Sequence, residues 1–213
     1  MFKGKKGETL IKKPGDINGI DFMIKDLEDC KVYILDHTAQ IQMDRCKNCT
    51  FYIGPIKGSI FVRDSKNCTI SVACSQFRCR DLYDSTVNLF CGNEPVIESS
   101  NNVKFAPFNV AYPFLEKHAD EAKLHKEINK WDLIFDFTKQ ESGELNYSII
   151  DPKDWKIENV PVEGIDAQPE IAFPYPVRYG GTIPDDAYFG EDKDEKMETF
   201  DIKTSAADAA KQV

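Results

Sequence analysis

Cys30-Lys-Val-Tyr-Ile34, Cys49-Thr-Phe-Tyr-Ile53, Cys68-Thr-Ile-Ser-Val72 and Ser85-Thr-Val-Asn-Leu89 repeat one five-residue pattern at a nearly constant step along the chain. Val103, one such step beyond Ser85, continues the column, with Phe105 two places later. The first, third and fifth positions are apolar or small, so on an extended strand they share one side. A second alternating segment lies eight and six places before each column residue: Phe22/Ile24, Ile41/Met43, Ile60/Val62, Phe77/Cys79 and Pro95/Ile97. Polar corners join the two: Asp29, Lys47-Asn48, Lys66-Asn67, Asp84 and Asn101-Asn102. A unit this short cannot bury its own inner face, whereas a stack of such units can. Residues 20–108 are therefore read as a parallel β-helix, with Cys30, Cys49, Cys68, Ser85 and Val103 in one interior column.

Outside the coils the pattern changes. Residues 1–19 are basic, with Lys3, Lys5, Lys6, Lys12 and Lys13, and are expected to be mobile at the start and to lead into the first coil. Phe114, Leu115, Ala119, Ala122, Leu124, Ile128 and Trp131 recur mostly at three- and four-residue spacing, which predicts one amphipathic helix over 113–131 with Pro113 in its first turn. Residues 143–150 read as a closing strand, so the β-helix domain is placed at 20–150. Residues 151–184 hold six prolines, and residues 185–198 carry seven carboxylates against two lysines. That composition cannot bury enough apolar surface alone, so 151–213 is read as an extended tail, Pro-rich and then acidic. The fold class expected is mainly β: a solenoid with one helix and this C-terminal tail.

Composition narrows the function. At 213 residues and 41% hydrophobic, the chain suits one well-buried domain with extensions. A net charge of −9 argues against a nucleic-acid partner, which needs a basic stripe. No apolar run approaches the ~20 residues of a membrane span, and Phe2 stands where N-myristoylation needs glycine. No stable membrane anchor is expected. Seven cysteines without a secretory apolar segment read as reduced thiols in a cytoplasmic setting. Cys46-Lys-Asn-Cys49 has knuckle spacing, but no second pair follows, so no metal site is expected. His37, His118 and His125 are read as ordinary surface or corner residues. Gly-x-x-x-x-Gly-Lys-Ser/Thr is absent, so the chain is not expected to hydrolyse nucleotide unaided.

One strand stands out. With Phe77 and Cys79 inward, Arg78 and Arg80 must face solvent. The neighbouring outward columns hold Gln42, Phe61 and Val96 beside Arg78, and Asp44, Arg63 and Glu98 beside Arg80. Parallel coils lie about 4.8 Å apart, so Glu98 is expected to orient Arg80 while Arg78 has apolar flanks and no carboxylate. The plain alternative is a solvated strand face.

Several segments in order carry a resemblance: 22–26, 30–37, 49–63, Ala-Cys-Ser-Gln-Phe-Arg-Cys-Arg-Asp at 73–81, and Pro-Val-Ile-Glu-Ser-Ser at 95–100. These are similar to the tubulin-binding cofactor C domain family. Trp131, Phe135-Asp-Phe-Thr138 and Ser142-Gly-Glu-Leu-Asn146 bring the likeness nearest to the N-terminal domain of the retinitis pigmentosa 2 branch, over roughly residues 7–150. The family fold is a right-handed parallel β-helix. The resemblance implies a GTPase-activating or GTPase-binding protein for an Arf-like small GTPase, or a tubulin-related partner, in cilium or cytoskeleton. It implies that Arg78 is an arginine finger with Gln76 beside it, and that Arg80, Glu98 and Phe137 contact the partner. Ser75 departs from a glutamine of the pattern. The chain would need no cofactor of its own, because GTP and magnesium belong to the GTPase. The alternative is a non-catalytic structural component of a ciliary axoneme or microtubule assembly, using the same fold as a docking surface.

Overall fold

The computed structural model describes residues 1–138, 140 and 142–170. Its elements in chain order are β1 (Phe2–Lys6), β2 (Thr9–Lys12), β3 (Phe22–Glu28), β4 (Lys31–Ile34), β5 (Ile41–Lys47), β6 (Thr50–Lys66), β7 (Thr69–Cys91), β8 (Val96–Glu98), β9 (Asn101–Pro107), β10 (Val110–Ala111), α1 (Leu115–Glu121), β11 (Phe135–Asp136), β12 (Tyr147–Ile149) and β13 (Glu158–Asn159). Every named strand pairing is parallel, as a β-helix requires. One face runs β1-β3-β5-β6-β7-β8-β11, and the other is built from the β2-β4-β6 and β7-β9-β12 pairings.

Each coil turns on residues in the left-handed region. Asp29, Asn48, Asn67, Asp84 and Asn102 all have φ near +50°, as do Asp26, Arg45, Asp64, Asp81 and Ser99 three places earlier. Asn and Asp tolerate this conformation better than other non-glycine residues. Their side chains also bond from coil to coil: Asn48 Nδ2 donates to Asp29 at 3.0 Å, Asn67 to Asn48 at 3.1 Å, and Asn102 to Asp84 at 2.9 Å. These corners fix the register, and Cys30, Cys49, Cys68, Ser85 and Val103 stack in the interior, none more than 3% exposed.

Residues 1–19 are not a mobile lead-in. β1 and β2 form a full further coil, with Phe2 beside Ile24 and Leu10 beside Val32. That register is a wider step than those of the repeat from Cys30 to Val103, so the repeat did not reveal it. Phe2 packs edge-on against Phe22 at 5.3 Å, and Leu10 and Ile17 are buried.

The helix is also shorter than its periodicity predicts: 115–121 rather than 113–131. Phe114 (φ 73°) precedes it, and Lys123 (φ 56°) ends it. The amides of Lys123 and Leu124 bond back to Asp120 and Ala119 in the left-handed C-terminal motif that usually employs glycine. Leu124 and Trp131 keep the helical spacing but are buried from turns, Trp131 in the main core. α1 covers outward apolar residues of successive coils, Leu35, Tyr52, Ala73 and Phe90, forming a second core with Leu115, Ala119 and Ala122.

The start of the expected tail, as far as position 170, belongs to the domain. A short 3-10 turn at Pro152–Asp154 leads to buried Trp155, edge-on to Trp131 at 5.8 Å, and β13 then pairs with β10. Single apolar anchors and a two-residue strand leave no period to read, which is why proline content misled. The acidic stretch 185–198 lies outside the described residues.

All seven cysteines are free and buried. Burial pushes the Cys68 and Cys79 thiols up to about 12 and raises those of Cys46 and Cys49, which is the reverse of a zinc thiolate pair. Cys68→Arg, which places an unpaired charge in the interior column, is expected to cost more than about 4 kcal/mol in urea unfolding. The raised thiols also link stability to pH. The unfolded chain releases these protons above about 8.5 while the folded chain holds them, so stability falls as pH rises from about 9 toward 12. The urea midpoint should decline over that window, and by less in Cys68→Ala.

Candidate functional site

The middle of β7 alternates cleanly. Phe77 and Cys79 are inward and buried, and Gln76, Arg78 and Arg80 point outward and exposed. Across the coils, Arg78 stands between Phe61 and Val96, with Gln42 and Met23 beyond Phe61 and Phe135 beyond Val96. The parallel column runs Lys25, Asp44, Arg63, Arg80 and Glu98. The structure thus gathers Gln76, Arg78, Arg80 and Glu98 on one face, and Phe137 follows at its end, where its amide bonds to the Ile97 carbonyl at 2.8 Å.

The charges on this face are not equivalent. Arg63 grips Asp44 with two hydrogen bonds, 2.6 and 2.9 Å, which raise its already high pKa. Its guanidinium also lies 5.2 Å from the Phe61 ring centre, and that of Arg78 lies 6.0 Å from the same ring. Phe61 is therefore flanked by two cations, one neutralised by Asp44 and the other with no carboxylate in ion-pair range among the described residues. A cation near an aromatic ring gains quadrupole attraction without losing its charge. The side chain of Arg78 is thereby steered while its full positive charge stays available.

Arg80 does not behave as the column spacing implied. It pairs with Asp81 at 3.3 Å instead of Glu98. Asp81 is a left-handed corner residue (φ 55°), and its other carboxylate oxygen accepts from Tyr83 Oη at 3.3 Å. Glu98 stays abreast of Arg80 in register and makes no ion pair among the described residues.

The apolar end of the face is held by a network that the sequence reading missed. Phe137 is 71% exposed and Phe135 48%, their rings edge-on at 6.0 Å. Between them Asp136 turns inward and is buried. Its carboxylate accepts from Asn146 Nδ2 at 2.8 Å and from the Thr138 amide at 3.0 Å. Asn146, also buried, donates to the Thr138 carbonyl at 2.7 Å and accepts from Asn101 at 3.1 Å. Period-2 alternation in Phe135-Asp-Phe137 signals inward Asp136; nothing in the spacing signals that Asn146 returns to meet it. Ser75, three residues before Arg78 on the same strand, donates to the Lys57 carbonyl at 2.6 Å. A further polar group, Asp36, His37 and His118, meets at the side of α1. His118 is buried, not the surface residue that was expected.

Comparison with known proteins agrees with this architecture. The family model described as tubulin binding cofactor C matches residues 19–137. The chain is similar to Protein XRP2 of Homo sapiens, 44% identical over 163 residues (76% of this chain, 46% of that protein), and to Protein XRP2 of Danio rerio, 43% identical over 162 residues (76% and 43%). It is more distantly similar to tubulin-specific chaperone C of Mus musculus, 26% identical over 151 residues (70% and 44%). The matches span less than half the length of these curated relatives. Among solved structures, Tubulin Binding Cofactor C from Leishmania major superposes with a TM-score of 0.52 at 16% identity, covering 76% of this chain and 99% of that one, a likeness of fold.

Exposed residues that hold nothing together can be removed at little structural cost. Arg78→Ala and Phe137→Ala are expected to shift unfolding free energy by less than about 0.5 kcal/mol. Asn146→Ala strands the buried Asp136 carboxylate and should cost about 2 kcal/mol or more. Urea denaturation of the three variants measures the contrast.

Proposed function

The chain belongs to the tubulin binding cofactor C family, and from its exposed arginine we propose that it binds a GTPase and accelerates GTP hydrolysis there, with Arg78 as the inserted finger. One observation carries the reading: Arg78 has no carboxylate partner among the described residues and stands on a β-helix strand, steered by Phe61 and set between buried Phe77 and Cys79. Phosphoryl transfer needs a permanent, planar cation at the oxygens where negative charge grows. A flexible surface arginine loses much of this effect, because the gain depends on placement before the reaction. The partner supplies nucleotide, magnesium and the attacking water, and such a finger is typically worth about 10³–10⁵ in rate.

The remainder of the face suits docking. Phe135 and Phe137 offer apolar area, Glu98 a carboxylate with no ion pair among the described residues, Arg80 a second cation, and Gln76 an adjacent amide. The partner we favour is an Arf-like small GTPase, with tubulin, after which the cofactor C relatives are named, as the runner-up. The proposed setting is cytoplasmic, at a cilium or along the cytoskeleton. Among the described residues no helix is long and apolar enough to cross a membrane.

Single-turnover hydrolysis by GTP-loaded Arf-like GTPases and by tubulin, with and without the full chain, tests this. Stimulation should fall by at least about 10³ in Arg78→Ala, with binding to the GTP-loaded partner retained, while Phe137→Ala and Glu98→Ala weaken binding. If wild-type chain stimulates no GTPase yet is retained on axonemes or microtubules, the face is a docking surface of a structural component and the finger reading fails.

A further inference from the structure

We propose that Asp36, His37 and His118 form a zinc site that pins α1 to the coil, with Glu121 completing the coordination. The site shares no residue with the face that carries Arg78.

Three of the spacings match the edges of a tetrahedral zinc site. His37 Nδ1 lies 3.4 Å from Asp36 Oδ1 and 3.1 Å from Glu121 Oε2, and His118 Nε2 lies 3.6 Å from Asp36 Oδ1. Four ligands held ~2.0–2.1 Å from a central zinc stand roughly 3.4 Å from one another. The ligand atoms of Asp36, His37 and His118 all fall within 4.8 Å of each other. They line a cavity of about 210 Å³ with Pro14, Gly15 and Phe114. Glu121, at the mouth and partly exposed, reaches the fourth position by side-chain rotation.

Hydrogen bonding among these groups does not account for the arrangement. Asp36 Oδ2 is fully engaged, accepting the amides of Gly15, Ile17 and Asn18 at 2.8–3.1 Å. That caps the 14–18 loop and explains one carboxylate oxygen. Among the described residues the other oxygen accepts only the His37 amide, while both imidazoles turn a nitrogen toward it. Among the described residues buried His37 Nδ1 has no hydrogen-bond partner: Glu121 Oε2 is near enough in distance but not in direction. An unsatisfied buried nitrogen is costly unless something outside the chain occupies its lone pair.

The outer contacts are those that metal ligands require. Tyr112 Oη bonds His118 Nδ1 at 2.8 Å, which fixes the ring and leaves Nε2 for a ligand role. The tyrosine hydroxyl reaches this depth because residue 54 is glycine; a Cβ there would lie 2.5 Å from it. Gly19, at φ +79°, likewise leaves room for His37, whose Nε2 would be 2.8 Å from a Cβ. Two imidazoles and a carboxylate in a four-coordinate space favour zinc over magnesium or calcium, which take oxygen ligands at higher coordination number. The ion would join residues 36, 118 and 121, tying the side excursion to the solenoid.

The test uses the full chain, stripped with chelator and titrated with zinc chloride, with metal counted after desalting and melting temperature followed. One zinc per chain and a rise in melting temperature are expected. His37→Gln and His118→Gln should lose the bound metal, and Tyr112→Phe should weaken affinity about 10- to 100-fold. Cobalt loading separates this site from the cysteines, since nitrogen and oxygen ligands give no thiolate charge-transfer bands. Failure to retain zinc, retention undiminished in His37→Gln, or thiolate bands with cobalt would each overturn the proposal. Should His118→Gln not fold, His37→Gln and Glu121→Gln, whose side chains are less buried, decide it.

Discussion

A parallel β-helix of this size depends on turning sharply at the same place in every coil. Here the turns are made by residues at positive φ, two per coil, and aspartate and asparagine dominate them. The cost of that conformation is modest for these side chains and is offset by the amide ladders that join one corner to the next. With the corners fixed, the strands between them have no freedom of register. A slip of one residue would send Arg78 into the core and Phe77 into water. The exposed arginine and the closed interior are two results of one constraint on the backbone.

The same constraint explains what could be read in advance. The near-constant step from Cys30 through Cys49, Cys68 and Ser85 to Val103 placed the interior column, and period-2 alternation placed Gln76, Arg78 and Arg80 outside it. Neither says where a long side chain ends. Column neighbours fix Cβ positions, and Arg80 has several rotamers within reach of a carboxylate, so its choice of Asp81 over Glu98 was not available to spacing. The first coil was missed because its wider step breaks the period. The helix was overextended because Leu124 and Trp131 keep helical spacing while serving two different cores. Asp36 and His37 lie far from His118 in sequence and meet it only through the excursion carrying α1, for which no periodic signal exists.

That excursion also divides the labour of the fold. The solenoid interior is almost wholly apolar and is closed by Trp131 against Trp155. The second core, under α1, has Tyr112 and His118 hydrogen-bonded at its edge, beside buried Asp36. The arginine face needs a stiff platform, and the solenoid provides it. The side of α1 has the irregular backbone that can gather ligands from separate segments, as the glycines at 19 and 54 permit. Within this family fold, the two regions place unlike demands on sequence: strict alternation on one, a few small residues at close approaches on the other.

Phe137 follows directly on β11, the last strand on its face of the stack. A solenoid frays from its ends, because a terminal coil is paired on one side only. The aromatic ring most open to a partner is therefore carried by the rung with the least support of its own. A protein that covers Phe137 would also shelter that rung, so association and end-fraying draw on a single equilibrium: occupancy suppresses fraying, and whatever loosens the Asp136–Asn146 clasp lowers occupancy to the same degree. Affinity can then be tuned from inside the coil, at residues that never meet the partner.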